Sequence, residues 1–264
     1  MIDVNKIYCG DHLGIMNRLD DSSIDLVVTS PPYGSMRDYK GYVFDFENVA
    51  KSLYRVVKQG GVAVWVMKDQ VVNGNKILDS FRQCLYFQSI GFNVYDVMIY
   101  SKASGSIPHA NRYRDAFEYM FVFSKGKPKT VNLITDRQNK YGGTSTYGKI
   151  TVREKNGLLT TRKKTDVAIL GTRYNIWEYA TGNGNTTSDK YAFKHPAMFP
   201  EKLAADHIKS WSNEGDLVLD PMCGSGTTLK MAKTLKRNFI GIDCSQEYCD
   251  IAQRRVDEVP TSLF

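Results

Sequence analysis

Ser30-Pro31-Pro32-Tyr33 places a hydroxyl, two stiff prolines and an aromatic ring in four consecutive positions, straight after the apolar run "DLVVT". Consecutive prolines fix φ and remove two N–H donors, so neither a helix nor a strand continues through them. Taken alone, the stretch reads either as a rigid loop or as a ligand-bearing loop at the carboxyl end of a strand, where open α/β sheets bind their ligands. A second stretch, "VLDPMCGSGTT", ends a strand at Asp220 and continues with Gly224 and Gly226, which permit a tight turn and close backbone approach. Thr227 and Thr228 then open a helix whose first amides can donate. The next strand ends in Asp243, about twenty residues on, where a carboxylate reaches a ribose diol in βαβ nucleotide folds. No Gly-Lys-Ser/Thr follows the turn, and the third glycine of the dinucleotide fingerprint is missing. That pattern favours a ligand with an adenosine end and no pyrophosphate.

The elements that must position these residues are legible in outline. "SIDLVVTS" reads as a strand. "DFENVAKSLYRVVKQGG" carries Val49, Leu53, Val56 and Val57 at helical spacing, with Gly60-Gly61 as the left-handed stop. "VAVWVM" is a buried strand, "NGNKILDSFRQCLYFQSIGF" a helix ending at a glycine, and "NVYDVMIYS" and "EYMFVFSKGK" are strands. Alternating strands and helices predict right-handed crossovers and a parallel sheet covered on both faces. After Lys194, "HPAMFPEKLAADHIKSWS" opens with prolines and becomes an amphipathic helix; "DLVLDPMCGSGTTLKMAKTLKR" and "NFIGIDCSQEYCDIAQRRVDEV" each read strand, turn, helix.

Between these halves the character changes. Ser124 to Lys194 is rich in Gly, Thr, Asn and Lys, with about 14 basic against about 5 acidic residues, more than the whole chain's excess of +7. This is either a solvated, loop-rich insertion or, with Tyr141, Tyr147 and Tyr174 interleaved, a nucleic-acid surface. Hydrophobic residues make up 42%, enough for a sizeable core. No window approaches the roughly 18 apolar residues of a membrane span, and the N-terminus carries no apolar signal core. The five cysteines are scattered and never spaced C-x-x-C, which argues against a disulfide framework or a zinc site and for a reducing cytoplasm. The four histidines show no metal-ligand spacing, so no metal is expected.

"TSPPY", "HPAMFPEKL" and "DPMCGSGTT", in that order, resemble the amino-methylating DNA methyltransferases of the β-type arrangement, including the modification enzymes of restriction–modification systems. "IYCGDHLGIMNRLDDSSIDLVVTSPPY" and "NFIGIDCSQEYCDIAQRR" extend the resemblance over nearly the whole chain. It implies a Rossmann-like, doubly wound, mainly parallel α/β sheet of the S-adenosylmethionine-dependent type, circularly permuted. The catalytic half would span 1–125, a target-recognition insertion 126–194, and the cofactor-binding half 195–264. The activity implied is methyl transfer from S-adenosylmethionine to an exocyclic amine of a base flipped out of double-stranded DNA.

Such an amine is a poor nucleophile because its lone pair is delocalised into the ring. Ser30 Oγ and the Pro31 carbonyl are the candidate acceptors for its hydrogens, Pro31 and Pro32 stiffen the loop, and Tyr33 would stack on the base. The resemblance places Asp220, Pro221, Met222, Cys223, Gly224, Ser225 and Gly226 against the methionine part of the cofactor. Thr227 and Thr228 would add helix-start contacts, Asp243 would hold the ribose hydroxyls, and its neighbour Cys244 is a further cofactor-binding candidate. His195, Pro196, Phe199 and Pro200 would close over the methionine end, although His195 reads equally as an ordinary loop or capping histidine. Asp11 is either an adenine-side contact or a helix N-cap. Arg37, Arg112, Arg114, Arg162, Lys163 and Lys164 are the candidates for DNA contacts, with a plain solvated surface as the other reading. The Pro-Cys dipeptide of cytosine-C5 enzymes is absent. Serine before Pro-Pro favours N4-cytosine as target, with N6-adenine the alternative and a non-catalytic module that binds nucleic acid or S-adenosylmethionine the third reading. A cognate restriction endonuclease and a homodimer are further expectations of the resemblance.

Overall fold

A computed structural model describes residues 2–32, 44–102, 111–144, 150–162, 166–182, 184–195 and 198–260. The first part of the chain forms β1 (Lys6–Cys9), α1 (His12–Met16), β2 (Ile24–Thr29), α2 (Phe46–Val56) and β3 (Val57–Met67). A short hairpin of β4 (Val71–Val72) and β5 (Asn75–Lys76) leads to α3 (Asp79–Ser89), β6 (Asn93–Lys102) and β7 (Phe117–Ser124). The middle contributes β8 (Arg137–Gln138), β9 (Ile150–Arg153), β10 (Leu159–Arg162), β11 (Leu170–Gly171) and β12 (Ile176–Tyr179). A 3₁₀ turn (Lys190–Lys194) precedes α4 (Glu201–Trp211), β13 (Leu217–Asp220), α5 (Thr227–Thr234), β14 (Asn238–Asp243) and α6 (Gln246–Asp257).

Eight strands make one sheet in the order β1-β14-β13-β2-β3-β7-β6-β12. The Pro-Pro strand β2, early in the chain, lies directly beside the late strand β13, with Leu26 opposite Val218 and Val27 opposite Leu219. The permuted order read from the motifs is therefore closed up in space. The first five strands run parallel, whereas β7 is antiparallel to both β3 and β6. The sheet is thus mainly parallel, as expected, and β7 is its exception: a parallel partner needs a long crossover, usually helical, and the described residues between β6 and β7 contain no helix.

The double glycine is a correction. α2 ends at Val56 and the chain is already extended at Val57, so Gly60 and Gly61 fall inside β3. The register with β2 slips there, from Ile24 opposite Val57 to Leu26 opposite Val62. Gly60 has φ +81° and donates its N–H to the Lys125 carbonyl at 2.7 Å. Gly60 and Gly61 lie in this register irregularity, a use of glycine that sequence spacing does not separate from a helix stop.

Helix α2 packs against α1 and α3, and α5 packs against α4 and α6, so the helices form two groups. Val49, Leu53 and Val56 of α2 are fully buried, as their spacing requires, and join Trp65, Phe87, Phe92, Phe121 and Phe123 in one core cluster. The Phe87 and Phe123 rings stack at 4.3 Å. The Trp65 indole N–H finds Gln83 Oε1 at 2.8 Å, which lets a large polar-tipped side chain sit in that core.

Residues 133–174 form a second compact unit, narrower than the 126–194 stretch set apart on composition. Residues 126–132 and 175–194 belong to the main unit because strand β12 pairs with β6 and Asn132 donates its N–H to the Ser210 carbonyl. The second unit consists of two small antiparallel pairs, β9 with β10 and β8 with β11. Arg173 pairs with Asp136, and the Arg137 guanidinium lies 4.5 Å from the Tyr174 ring centre.

Candidate active site

Four parallel strands deliver their carboxyl ends to one edge of the sheet. β1 ends at Cys9, β14 at Asp243, β13 at Asp220 and β2 at Thr29, each paired with its neighbour. The buried Pro221 cannot extend the ladder beyond Asp220. The turn then folds on its own amides: Cys223 donates to the Ile242 carbonyl at 2.8 Å, and Gly226 to the Cys223 carbonyl at 2.7 Å.

Gly224 (φ +49°) and Gly226 (φ +78°) both take left-handed backbone, and each also makes room for a particular neighbour. A Cβ on Gly224 would lie 2.6 Å from His195 Nε2; the same imidazole meets the Tyr248 ring edge-on at 4.5 Å. A Cβ on Gly226 would lie 2.6 Å from Ala252 Cβ in α6. Gly226→Ala is expected to cost about 2–4 kcal/mol through backbone strain and overpacking, measured as a lower denaturation midpoint at unchanged m-value.

Asp220 joins the two motifs. Its Oδ1 accepts the Thr29 hydroxyl at 2.7 Å and the Met222 amide at 3.2 Å, and Thr228 Oγ1 donates to the Val28 carbonyl at 3.0 Å. The end of the Pro-Pro strand and the start of the glycine turn are thus fastened to each other by buried hydrogen bonds. The carboxyl is 2% exposed. Burial pushes its pKa up to about 6, against the opposing pull of the Thr29, Thr228 and Met222 hydrogen bonds.

Asp243 is half-buried, and its two oxygens accept from the Gly224 and Ser245 amides, each at 2.9 Å. Each oxygen keeps further acceptor capacity for a ligand hydroxyl. Burial raises this carboxyl too, while the two amides oppose the shift. Asp11 caps α1, its Oδ2 accepting the Gly14 amide at 2.7 Å, so the capping reading holds. It lies exposed two residues beyond Cys9, the residue paired with Asp243. Cys244 is exposed beside them, whereas Cys223 is buried and its thiol is pushed well up by burial, which makes it a packed thiol and no nucleophile. The edge is therefore lined with carboxylates, a donor set that suits a ligand rich in hydroxyls and carrying positive charge and ill suits a phosphate.

The hydroxyls of Ser225, Thr227 and Thr228 point to structural partners. Arg255 donates to Ser225 Oγ and Thr227 Oγ1, and the Thr228 hydroxyl binds Val28. In these bonds the Ser225 and Thr227 oxygens accept, whereas the Thr228 hydroxyl gives its hydrogen to Val28. Ser30 follows β2 directly and is half-buried, between buried Thr29 and buried Pro31; Pro32 is half-buried. Met222 and Phe199 are half-buried, and buried Pro200 is the residue from which α4 starts. Arg112 and Arg114 are exposed, and the Arg112 guanidinium donates to the Gly74 carbonyl in the β4–β5 turn. Tyr33, Arg37, Lys163, Lys164 and Pro196 lie outside the described residues, as does the side chain of Arg162. Sequence reasoning passed over Thr29, Tyr248 and Arg255. Thr29 carried a signal in standing beside the Ser-Pro-Pro motif; a buried arginine at a helix end carried none.

Comparison with known proteins gives this edge a family context. The N6/N4 methyltransferase model, described as DNA methylase, matches residues 24–254. The orphan methyltransferase M.BamHII of Bacillus amyloliquefaciens is 53% identical over 239 residues, 90% of this chain and 90% of that protein. The type II methyltransferase M.BglII of Bacillus subtilis is 29% identical over 266 residues, 97% of this chain and 70% of its own length. Among solved structures, the cytosine-N4-specific PvuII DNA methyltransferase shares the fold with a TM-score of 0.69 at 20% identity, over 99% of this chain and 92% of that one. The M1.HpyAVI–SAM complex gives 0.64 at 23% identity, over 96% and 98%.

Proposed function

Because the chain belongs to the N6/N4 family of DNA methylases, we propose that it moves a methyl group from S-adenosylmethionine to the exocyclic N4 of a cytosine flipped out of duplex DNA. The observation that carries this reading is the Thr29–Asp220 hydrogen bond, which holds the acceptor loop and the glycine turn at one sheet edge.

The carboxylate-lined edge fits the cofactor. Asp243 has acceptor capacity for a ribose diol, Asp11 stands one strand away, and Asp220 supplies buried negative charge for a cationic ligand. Gly224 and Ser225 would bring backbone to the methionine end, with the His195 ring covering Gly224. When bound, S-adenosylmethionine supplies an electrophilic methyl on a positively charged sulfur. Ser30 Oγ and the Pro31 carbonyl accept the two amino hydrogens, which favours a pyramidal nitrogen with its lone pair available. The nitrogen gains the methyl as the carbon–sulfur bond breaks, and then gives one proton to solvent. No covalent enzyme intermediate is needed, and Tyr33 would offset part of the unstacking cost of the flipped base.

Serine at position 30 supports cytosine, and a cytosine-N4-specific protein shares the fold. The second compact unit supports DNA as the partner: Tyr141 and Tyr174 are exposed beside Lys140 and Arg137, the pairing of stacking faces and cations that nucleic acids bind. A relative sharing 53% identity is an orphan methyltransferase, which favours action without a paired endonuclease over the expected restriction partner. The test is to express the chain in a host whose DNA lacks these modifications and map methylated bases across the genome. N4-methylcytosine at one short sequence is the expected outcome; N6-methyladenine would transfer Ser30 to an adenine pocket.

A further inference from the structure

Arg255 is 0% exposed, and each of its five N–H donors has a direction to go. Nε donates to Asp189 Oδ2 at 2.8 Å. One terminal nitrogen reaches the Ser225 carbonyl at 2.9 Å, Ser225 Oγ at 3.2 Å and Thr227 Oγ1 at 3.0 Å. The other reaches Glu201 Oε1 at 2.6 Å and Thr187 Oγ1 at 3.3 Å. Lys230 of α5 completes the cluster, with Nζ 2.7 Å from Asp189 Oδ2 and 2.8 Å from Glu201 Oε1. Two cations therefore meet two carboxylates with no charge left over, the condition under which a buried ionic cluster is tolerated. Burial alone would raise both carboxyls; the Lys230 and Arg255 hydrogen bonds outweigh it and hold Asp189 and Glu201 below their ordinary range.

The placement of the two acids matters more than their charge. Asp189 immediately precedes the 3₁₀ turn, His195 immediately follows it, and Glu201 is the first residue of α4. Both ends of the segment carrying His195 are thus held by the same two cations. The third contact of Arg255 is the glycine turn itself, at the carbonyl between Gly224 and Gly226. His195 in turn packs on Gly224.

We propose that Arg255 is a positioning residue for the cofactor: seated behind the glycine turn, it locks the turn and the His195 segment to each other in the geometry that receives S-adenosylmethionine. The inference rests on the reading of that turn as the cofactor site. Arg255 touches no ligand; it acts through Ser225 and His195. A lysine in its place keeps the charge but cannot hold three elements with one planar fork.

The test compares wild type with Arg255→Lys and with the milder Thr227→Val, which removes one acceptor on the turn. S-adenosylmethionine affinity is measured by calorimetry without DNA, together with melting temperature, kcat, and KM for each substrate. The expected result is an affinity loss of about tenfold in Arg255→Lys and a few-fold in Thr227→Val. KM for S-adenosylmethionine rises in step, while kcat and KM for DNA stay within about twofold. Wild-type affinity in folded variants overturns the inference and leaves the cluster a support of the core. If Arg255→Lys fails to fold, Thr227→Val decides by the same criterion. A wild-type protein that binds no S-adenosylmethionine overturns the reading of the turn, and the inference with it.

Discussion

Ser30→Ala lowers kcat by about 10²–10³-fold while leaving S-adenosylmethionine affinity within about twofold of wild type, the range for losing one preorganised polar contact at a reacting centre. The split follows from where Ser30 sits. It is the first residue past β2, on the loop side of the Thr29–Asp220 hydrogen bond, so its removal leaves that bond and the glycine turn untouched. On the proposed reading its hydroxyl contact would strengthen as the amine hydrogens acidify during transfer, which would make it an interaction of the transition state rather than of binding. Single-turnover methyl transfer measures the first quantity and calorimetry the second. An equal loss in both would mean that the alanine has disturbed the fold of the edge.

Asp220→Asn produces opposite changes in stability and function. A carboxyl moved from 3.8 to about 6 by burial costs on the order of 3 kcal/mol of stability above pH 6. The folded value is raised, so wild-type stability is fully present below about pH 4 and is lost as pH climbs through 6. The asparagine variant escapes that loss. Its Oδ1 still accepts from Thr29 and Met222, and its amide can donate to Thr228 Oγ1, whose own hydrogen goes to Val28. Denaturant unfolding should therefore show the variant more stable at pH 8 and level with wild type near pH 4. Cofactor affinity should move the other way, by roughly five- to tenfold at pH 8, because a cationic ligand loses a buried negative charge. Wild-type affinity should also climb as pH rises through about 6, and that rise should flatten in the variant. Unchanged affinity in a stabilised variant would reduce Asp220 to a structural tie.

The positions of the strands that end at Thr29, Asp220 and Asp243 were legible because each is a run of β-branched or aliphatic residues stopped by proline, glycine or an acid. Their order in the sheet was not legible, since nothing local to β2 or β13 says that they pair; the structure shows it. Gly60-Gly61 reads as a helix stop because a helix stop and a register irregularity within a strand can use the same left-handed glycine. The second unit was placed too generously: the composition of 175–194 resembles the insertion, yet the alternation of Ile176 to Tyr179 is what puts β12 into the main sheet. Thr227 and Thr228 enter as helix-start contacts through the family resemblance, and only the packed structure shows their hydroxyls bonded to Arg255 and Val28. Arg255 itself was invisible, because "IAQRRV" reads as an ordinary solvated helix end until α4, α5 and the 186–189 segment close over it.

The most direct test is to react the purified protein with methyl-deuterated S-adenosylmethionine and mixed-sequence duplex DNA, digest to nucleosides, and identify the labelled base by fragment mass. The label is expected on the exocyclic nitrogen of cytosine, with one deuterated methyl per product and none on a ring atom. Label on ring carbon 5, or none in DNA from a protein that binds the cofactor, would contradict the account.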